Sequence, residues 1–564
     1  MFNKAAEKTS ALVMLIGAPF TTLFITTQAV TDPVNATKLF IAGGFGFAFI
    51  LILLGFNARA TYANFKLYLL ISILFLLAAL NAVISSSAPL TQNLYGSYGR
   101  NTGFVAYVIL ASVGVGMLGL REQSSFRKLI IGLQFAGAIN VLYCAWVIAF
   151  GDFLSWNNPY GNILGFFGNP NFISSFLGIF IASLLAFIAD KKSSWRYRAI
   201  AVVFAAFAFY EIVDSSAIQG IVVTAGGIAI VGFFVVRSYI KQNVFTYLYV
   251  LGVSGVGFLA VLGALQKGPF TFIYKTSVSL RGAYWNAGTT MGLDHPLTGV
   301  GMDSYGDWYR RARSENAATV MPGPKTVTNA AHNVVIDFFA YGGWPLLLTY
   351  VGLLVVAAIA AVRVIARTRT YDAIFVAIFA AWACYITQAI ISINQIGLAI
   401  WGWLLTGALV AYEYATRPSV AAEEPPARKG TRKSANAGVI SPQLVAGIGV
   451  VVGLLVAVPP LSADMKWRSA LDSKDANKVI AALEPGYLSP SDSSRFAQAV
   501  QLFASNNLMD QARDIALRGV EFNSDYFDAW KILYYLSNST DAEKAQALEN
   551  MKRLDPRNPD VLAK

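Results

Sequence analysis

The chain is built around a succession of apolar stretches, each about as long as the ~20 residues a helix needs to cross a bilayer. They cover roughly 11–30, 37–55, 67–86, 103–120, 129–150, 171–189, 199–213, 217–236, 244–265, 331–362, 371–391, 395–413 and 443–462, thirteen in all. With 56% hydrophobic and only 13% charged residues, the composition lies outside the soluble range, where about a quarter is charged. Mean hydropathy of +0.53 agrees. The expected fold is therefore all-α, a polytopic helical membrane protein with about thirteen transmembrane helices. No small-residue cleavage site follows the first stretch cleanly, so it is expected to stay as an uncleaved span.

The cations test this count. Alternate short loops hold twenty-one Lys and Arg, among them Lys4, Arg59, Arg127, Lys191, Arg237, Arg367 and Arg432. The opposite short loops hold only Lys38 and Arg100. Positive residues favour the cytoplasm, so the N-terminus is expected inside. The long loop 266–330 is then outside, as is the C-terminal tail. Segment 415–442, rich in Pro, Ala and charge, reads as a flexible cytoplasmic linker.

The formal charge of +12 invites a nucleic-acid reading, but its distribution opposes it. Residues 463–564 carry 13 Lys and Arg against 15 Asp and Glu, so the excess sits in the membrane part, where loop topology explains it. Nucleic acid is not expected as a partner; the lipid bilayer is. Cys144 and Cys384 both lie inside apolar stretches and read as packing residues.

The tail, 463–564, changes period. Apolar residues recur at i, i+3, i+4 and i+7, the mark of amphipathic helices. EFNSDY and LDPRNP, about 34 residues apart, resemble tetratricopeptide boundaries. Fewer than three repeats fit, so the tail is expected to dock on the membrane part or on a protein partner; a plain helical cap is the other reading.

The longest polar interval runs from Arg281 to Asn333 and holds both histidines, His295 and His332, with Arg281, Arg310, Arg311, Arg313 and Lys325. His332 precedes an apolar stretch that Gly342-Gly343-Trp344-Pro345 should break, giving a short outer helix over 331–341 and a span from near Trp344. At that outer position a neutral imidazole can accept a proton near pH 7; a polar helix-start residue without a role is equally open. Asp337 lies about 140° around the helix, a poor partner for that ring. Arg281 offers a planar fork suited to phosphate oxygens. The Arg310, Arg311 and Arg313 cluster suits either headgroup anchoring or an anionic ligand. Arg100 is a cation set against the topological trend, which suggests a ligand or partner. His295, beside Pro296 in a turn, reads as structural, and Asp152, Glu211 and Asp214 as solvated ends of spans. There is no HExxH, CxxC or carboxylate cluster, so neither a metal nor another cofactor is expected.

The order of short motifs resembles one family. R-G-x-Y-W at Arg281, then D-H-P-L-x-G-V-G, then A-H-N and Y-G-G-x-P, with GRNTGF at 99–104 and GNPNF at 168–172, is similar to the O-antigen ligase and O-antigen polymerase superfamily of bacterial envelope glycosyltransferases. The resemblance covers about residues 10–462. It implies a metal-independent membrane enzyme in the bacterial cytoplasmic (inner) membrane. Such an enzyme would transfer a glycan from an undecaprenyl-diphosphate carrier to a hydroxyl of a lipid, polysaccharide or protein acceptor at the outer face. Carried over, His332 and Arg281 would be catalytic, with Arg100, Asn333, Arg310, Arg311 and Arg313 binding substrate. Where many relatives carry S-R-G, this chain has Ser215-Ser216-Ala217-Ile218-Gln219-Gly220, so Arg310 to Arg313 would supply the missing cation. The alternative is a transporter or flippase of lipid-linked sugars, whose polar site would lie at mid-bilayer rather than outside.

Overall fold

The computed structural model describes residues 2–418 and 440–564; most of the expected 415–442 linker lies outside the described residues. Among those described the fold is helical throughout, without strands. In chain order, α1 (Lys4–Leu23), α2 (Asn35–Phe56) and α3 (Ala58–Ile84) lead through a short helix, α4 (Leu90–Tyr95), to α5 (Phe104–Gly116). There follow α6 (Gln123–Phe150), α7 (Pro170–Ile188), α8 (Trp195–Asp214), α9 (Ile218–Tyr239) and α10 (Asn243–Ala264). The long polar interval folds into α11 (Thr276–Asp294), α12 (Tyr305–Ala312) and α13 (Glu315–Thr319). Then come α14 (Val334–Arg367), α15 (Ala373–Ile391), α16 (Ile396–Ala415) and α17 (Pro442–Ser473).

Each expected span coincides with one helix. Ten are long and apolar enough to cross a membrane; α1, the Phe104–Gly119 segment and α8 fall short by length or composition. The molecule is a multi-pass membrane protein. Local signals set the starts: the Asn3 side chain caps α1, Asn169 before Pro170 caps α7, and Asp372 caps α15. Helix α16 is wholly enclosed by its neighbours, whereas only 6% of the apolar window of α10 is buried, so α10 turns its surface to lipid. Helix α17 lies along α2 where Gly43 faces Gly453. A Cβ on Gly453 would sit 2.0 Å from the Gly43 carbonyl, so only glycine permits this backbone approach.

Two buried charges correct the sequence reading. Lys38 is not a loop cation: it lies buried in the first turn of α2, its ammonium donating to the carbonyls of Thr21, Thr22 and Phe24 at the end of α1. Those carbonyls have no helical partner, and a cation satisfies them well. Glu211 is not solvated; it is fully buried near the end of α8, with no hydrogen-bond partner for either carboxylate oxygen.

The tail does not begin at a joint. Helix α17 continues unbroken through residue 462 to Ser473, carrying Trp467 and Ala470 into the tail core. The remainder forms α18 (Ala476–Leu483), two helical hairpins and a last short helix, α23 (Pro559–Leu562). The hairpins are α19 (Ser493–Ser505) with α20 (Met509–Phe522), and α21 (Phe527–Tyr535) with α22 (Asp541–Leu554). Helices α19 and α21 start at Ser493 and Phe527, 34 positions apart.

Candidate functional site

The N-terminal part of α14 breaks where the sequence demands. Gly342 and Gly343 leave helical geometry, Gly343 at φ 62 and ψ −157, just before Pro345. The break leaves backbone groups that must bond elsewhere. Pro345 has no N–H for the Tyr341 carbonyl, which instead accepts from Gly301 N at 3.1 Å; the Ala340 carbonyl accepts from Val300 N at 2.8 Å; Trp344 N donates to the Pro296 carbonyl at 2.8 Å. The HPLTGVG turn and the YGGWP break are two halves of one joint, and neither touches a phosphate-loop geometry. His295 belongs to this joint, its ring edge-on to Trp308 at 4.9 Å.

This joint fixes the short first segment of α14, and His332 stands just before it. Asn333 caps the helix, its Oδ1 accepting from Val335 N at 3.0 Å and Ile336 N at 3.3 Å. Asp337 accepts from Ala331 N at 2.7 Å; it steadies the backbone rather than the imidazole. Between these anchors His332 adopts φ 56, a left-handed conformation uncommon outside glycine. Its ring lies 5.7 Å from that of Tyr284, which follows Arg281 by three residues on the same face of α11.

Both rings line a cavity of about 540 Å³, together with Tyr98, Asn329 and Arg310 from the membrane part and Tyr526 and Asp528 from the tail. Arg100 is bonded to the Asn329 side chain. Its loop is organised by buried Asp303, which accepts from Ser97 N at 2.8 Å; burial raises the Asp303 pKa while Arg100 opposes the shift. Burial first, then the charges of Arg100 and Arg281, push the His332 pKa from 6.5 down to about 4. Burial also lowers the pKa of Arg281. The imidazole is therefore neutral at pH 7, with two guanidinium groups close enough for their fields to reach it.

The other arginines divide. Arg310 lines the cavity, stacks on Phe527 at 4.1 Å and reaches Asp555 at 3.2 Å. Arg311 pairs with Asp525 at 3.3 Å and lies over the Trp308 ring. Arg313 is fully buried, its Nη2 donating to both Asp555 carboxylate oxygens at 2.8 and 2.9 Å. Arg311 and Arg313 thus hold the tail rather than line the cavity, and the Asn333 side-chain oxygen, Oδ1, is committed to a cap. Gln219 donates to the Ile391 carbonyl at 3.1 Å. Among the described residues, no group of three or more His, Cys, Asp or Glu is arranged to hold a metal ion.

Sequence reasoning passed over Tyr284, Asn329, Asp303 and the tail wall. Tyr284 and Asn329 lay in the polar interval already singled out; nothing local pointed to Tyr526 or Asp528. Compared with protein-family models and with curated proteins, the sequence finds no match in either.

Proposed function

We propose that this chain transfers a glycan from an undecaprenyl-diphosphate carrier to an acceptor hydroxyl at the outer face of the bacterial cytoplasmic membrane. The observation that carries this reading is a neutral His332 at the cavity wall, within reach of the fields of Arg100 and Arg281. In the reaction the acceptor oxygen forms a bond to the anomeric carbon as the bond from that carbon to the diphosphate breaks. His332 takes the hydroxyl proton, and the carrier leaves as its diphosphate. A diphosphate is already a competent leaving group, so neutralising its charge and removing one proton suffice. The two steps reinforce each other: the bound anion offsets Arg100 and Arg281, which raises the basicity of His332 at the moment it is required.

The reading is tested with the full-length protein in lipid nanodiscs given a lipid-linked glycan and an acceptor preparation from the same envelope. Release of undecaprenyl diphosphate with a matching new glycosidic product supports it. Movement of intact lipid-linked glycan across a liposome bilayer, without release of the carrier, replaces it with a transporter.

A further inference from the structure

The cavity beside His332 does not end at the tail. A second cavity of about 480 Å³ shares Ser494, Tyr526 and Asp528 with the first and runs on over the tail surface. Two helices floor it, each with a polar stripe at the helical period. On α19 the stripe is Ser494, Gln498 and Gln501; on α21 it is Asp528, Lys531 and Tyr535. Positions i, i+4 and i+7, or i, i+3 and i+7, fall on one face. The opposite faces of the same helices, with Phe496, Val500, Phe503, Trp530 and Leu533, make the tail core. The stripes are thus the faces that packing leaves over, and they point into one groove continuous with the candidate site.

We infer that this groove holds the saccharide chain handled at the His332 site, so that the tail reads several sugar units. The inference rests on the proposed glycan transfer. Its chemistry suits a carbohydrate: the Gln501 carboxamide and the Asp528 carboxylate, 3.8 Å from Arg310, can pair with vicinal hydroxyls, and tyrosine rings stand at either end, Tyr526 and Tyr535, the latter with the Lys564 ammonium over one side of its ring. Tyr535 is 58% exposed although aromatic. An extended peptide would need a free strand edge or apolar anchor pockets, and the only apolar side chains on this second floor are Ala497 and Ile532.

The test measures binding of saccharides released by mild acid from the cell's own lipid-linked glycans, sorted by length, to the full-length protein in nanodiscs. Affinity should rise with length and level off once both cavities are filled. Gln501→Ala with Tyr535→Ala should weaken the long chains by about tenfold, the loss of one ring contact and one hydrogen bond, and leave single sugars unchanged. Length-independent binding, unchanged affinity in the double variant, or preference for an extended peptide would each overturn the inference. Binding is read without turnover, so length-dependent binding with no transfer sinks the enzymatic reading alone, whereas transfer with length-independent binding sinks only the groove.

Discussion

At the scale of single residues, His332 combines a strained backbone with a shifted ring. Asparagine accepts the left-handed conformation, so His332→Asn removes the imidazole while keeping φ near 56. In the proposed transfer His332 is the general base, and its loss should lower turnover by about 10²–10⁴. The pH dependence carries a sign. The base must be neutral, and the free-enzyme pKa is about 4, so kcat/KM should be flat through neutral pH and fall only as pH drops through that value. In the proposed transfer a bound diphosphate should raise that pKa, so kcat should fall at a higher pH than kcat/KM. A profile of kcat/KM that breaks near 6.5 would mean that His332 is solvated and unshifted. His332, Arg281 and Arg100 could be picked out in the sequence because they are rare types in a polar interval. The binding roles expected of Arg311, Arg313 and Asn333 could not be checked there. Asp525 and Asp555 lie more than two hundred positions from their arginines, and the Asn333 cap depends on where the helix starts.

At the scale of elements, the apolar stretches gave every membrane helix, because length and hydropathy decide a span. The kink of α14 was equally legible from Gly342-Gly343 and Pro345. What period alone could not provide was the partner of the break, since the carbonyls that Pro345 frees are met by a turn some forty residues earlier. A substitution tests this joint. A Cβ on Gly343 would lie 2.3 Å from the Pro296 carbonyl oxygen, and the residue's dihedrals are in a region almost reserved for glycine, costing other residues roughly 1–3 kcal/mol. Gly343→Ala should lower the thermal unfolding midpoint in detergent and disturb His332 without touching the cavity; an unchanged midpoint would show that the joint yields easily.

At the scale of the whole molecule, the tail docks on the membrane part over the polar interval. Besides the arginine pairs, Ser87 donates to Asp525 at 2.8 Å, and Thr31 N donates to Asp464 at 2.9 Å. Docking was foreseen from the shortage of repeats; the unbroken run of α17 into the tail was not, because a change of hydropathy does not interrupt a helix. Arg313→Ala leaves the buried Asp555 carboxylate short of its main partner, a loss of about 3–5 kcal/mol. Faster hydrogen exchange over 525–564 would register it, and Arg313→Met with Asp555→Leu should recover much of the protection. Equal exchange in the single variant would mean that the pair contributes little to docking. Orientation is tested with Ser505→Cys, an exposed tail position, since the native Cys144 and Cys384 are buried. A membrane-impermeant maleimide should label it in intact spheroplasts, and labelling only after lysis would invert the topology.

The most direct measurement compares transfer by purified wild type, His332→Asn and Arg281→Ala at equal folded concentration, following undecaprenyl diphosphate release from a lipid-linked glycan. Release by the wild type and its near-complete loss in both variants, with saccharide binding retained, is the expected result. Release that persists in both variants would show that neither proton removal by the imidazole nor charge neutralisation by the guanidinium drives the transfer.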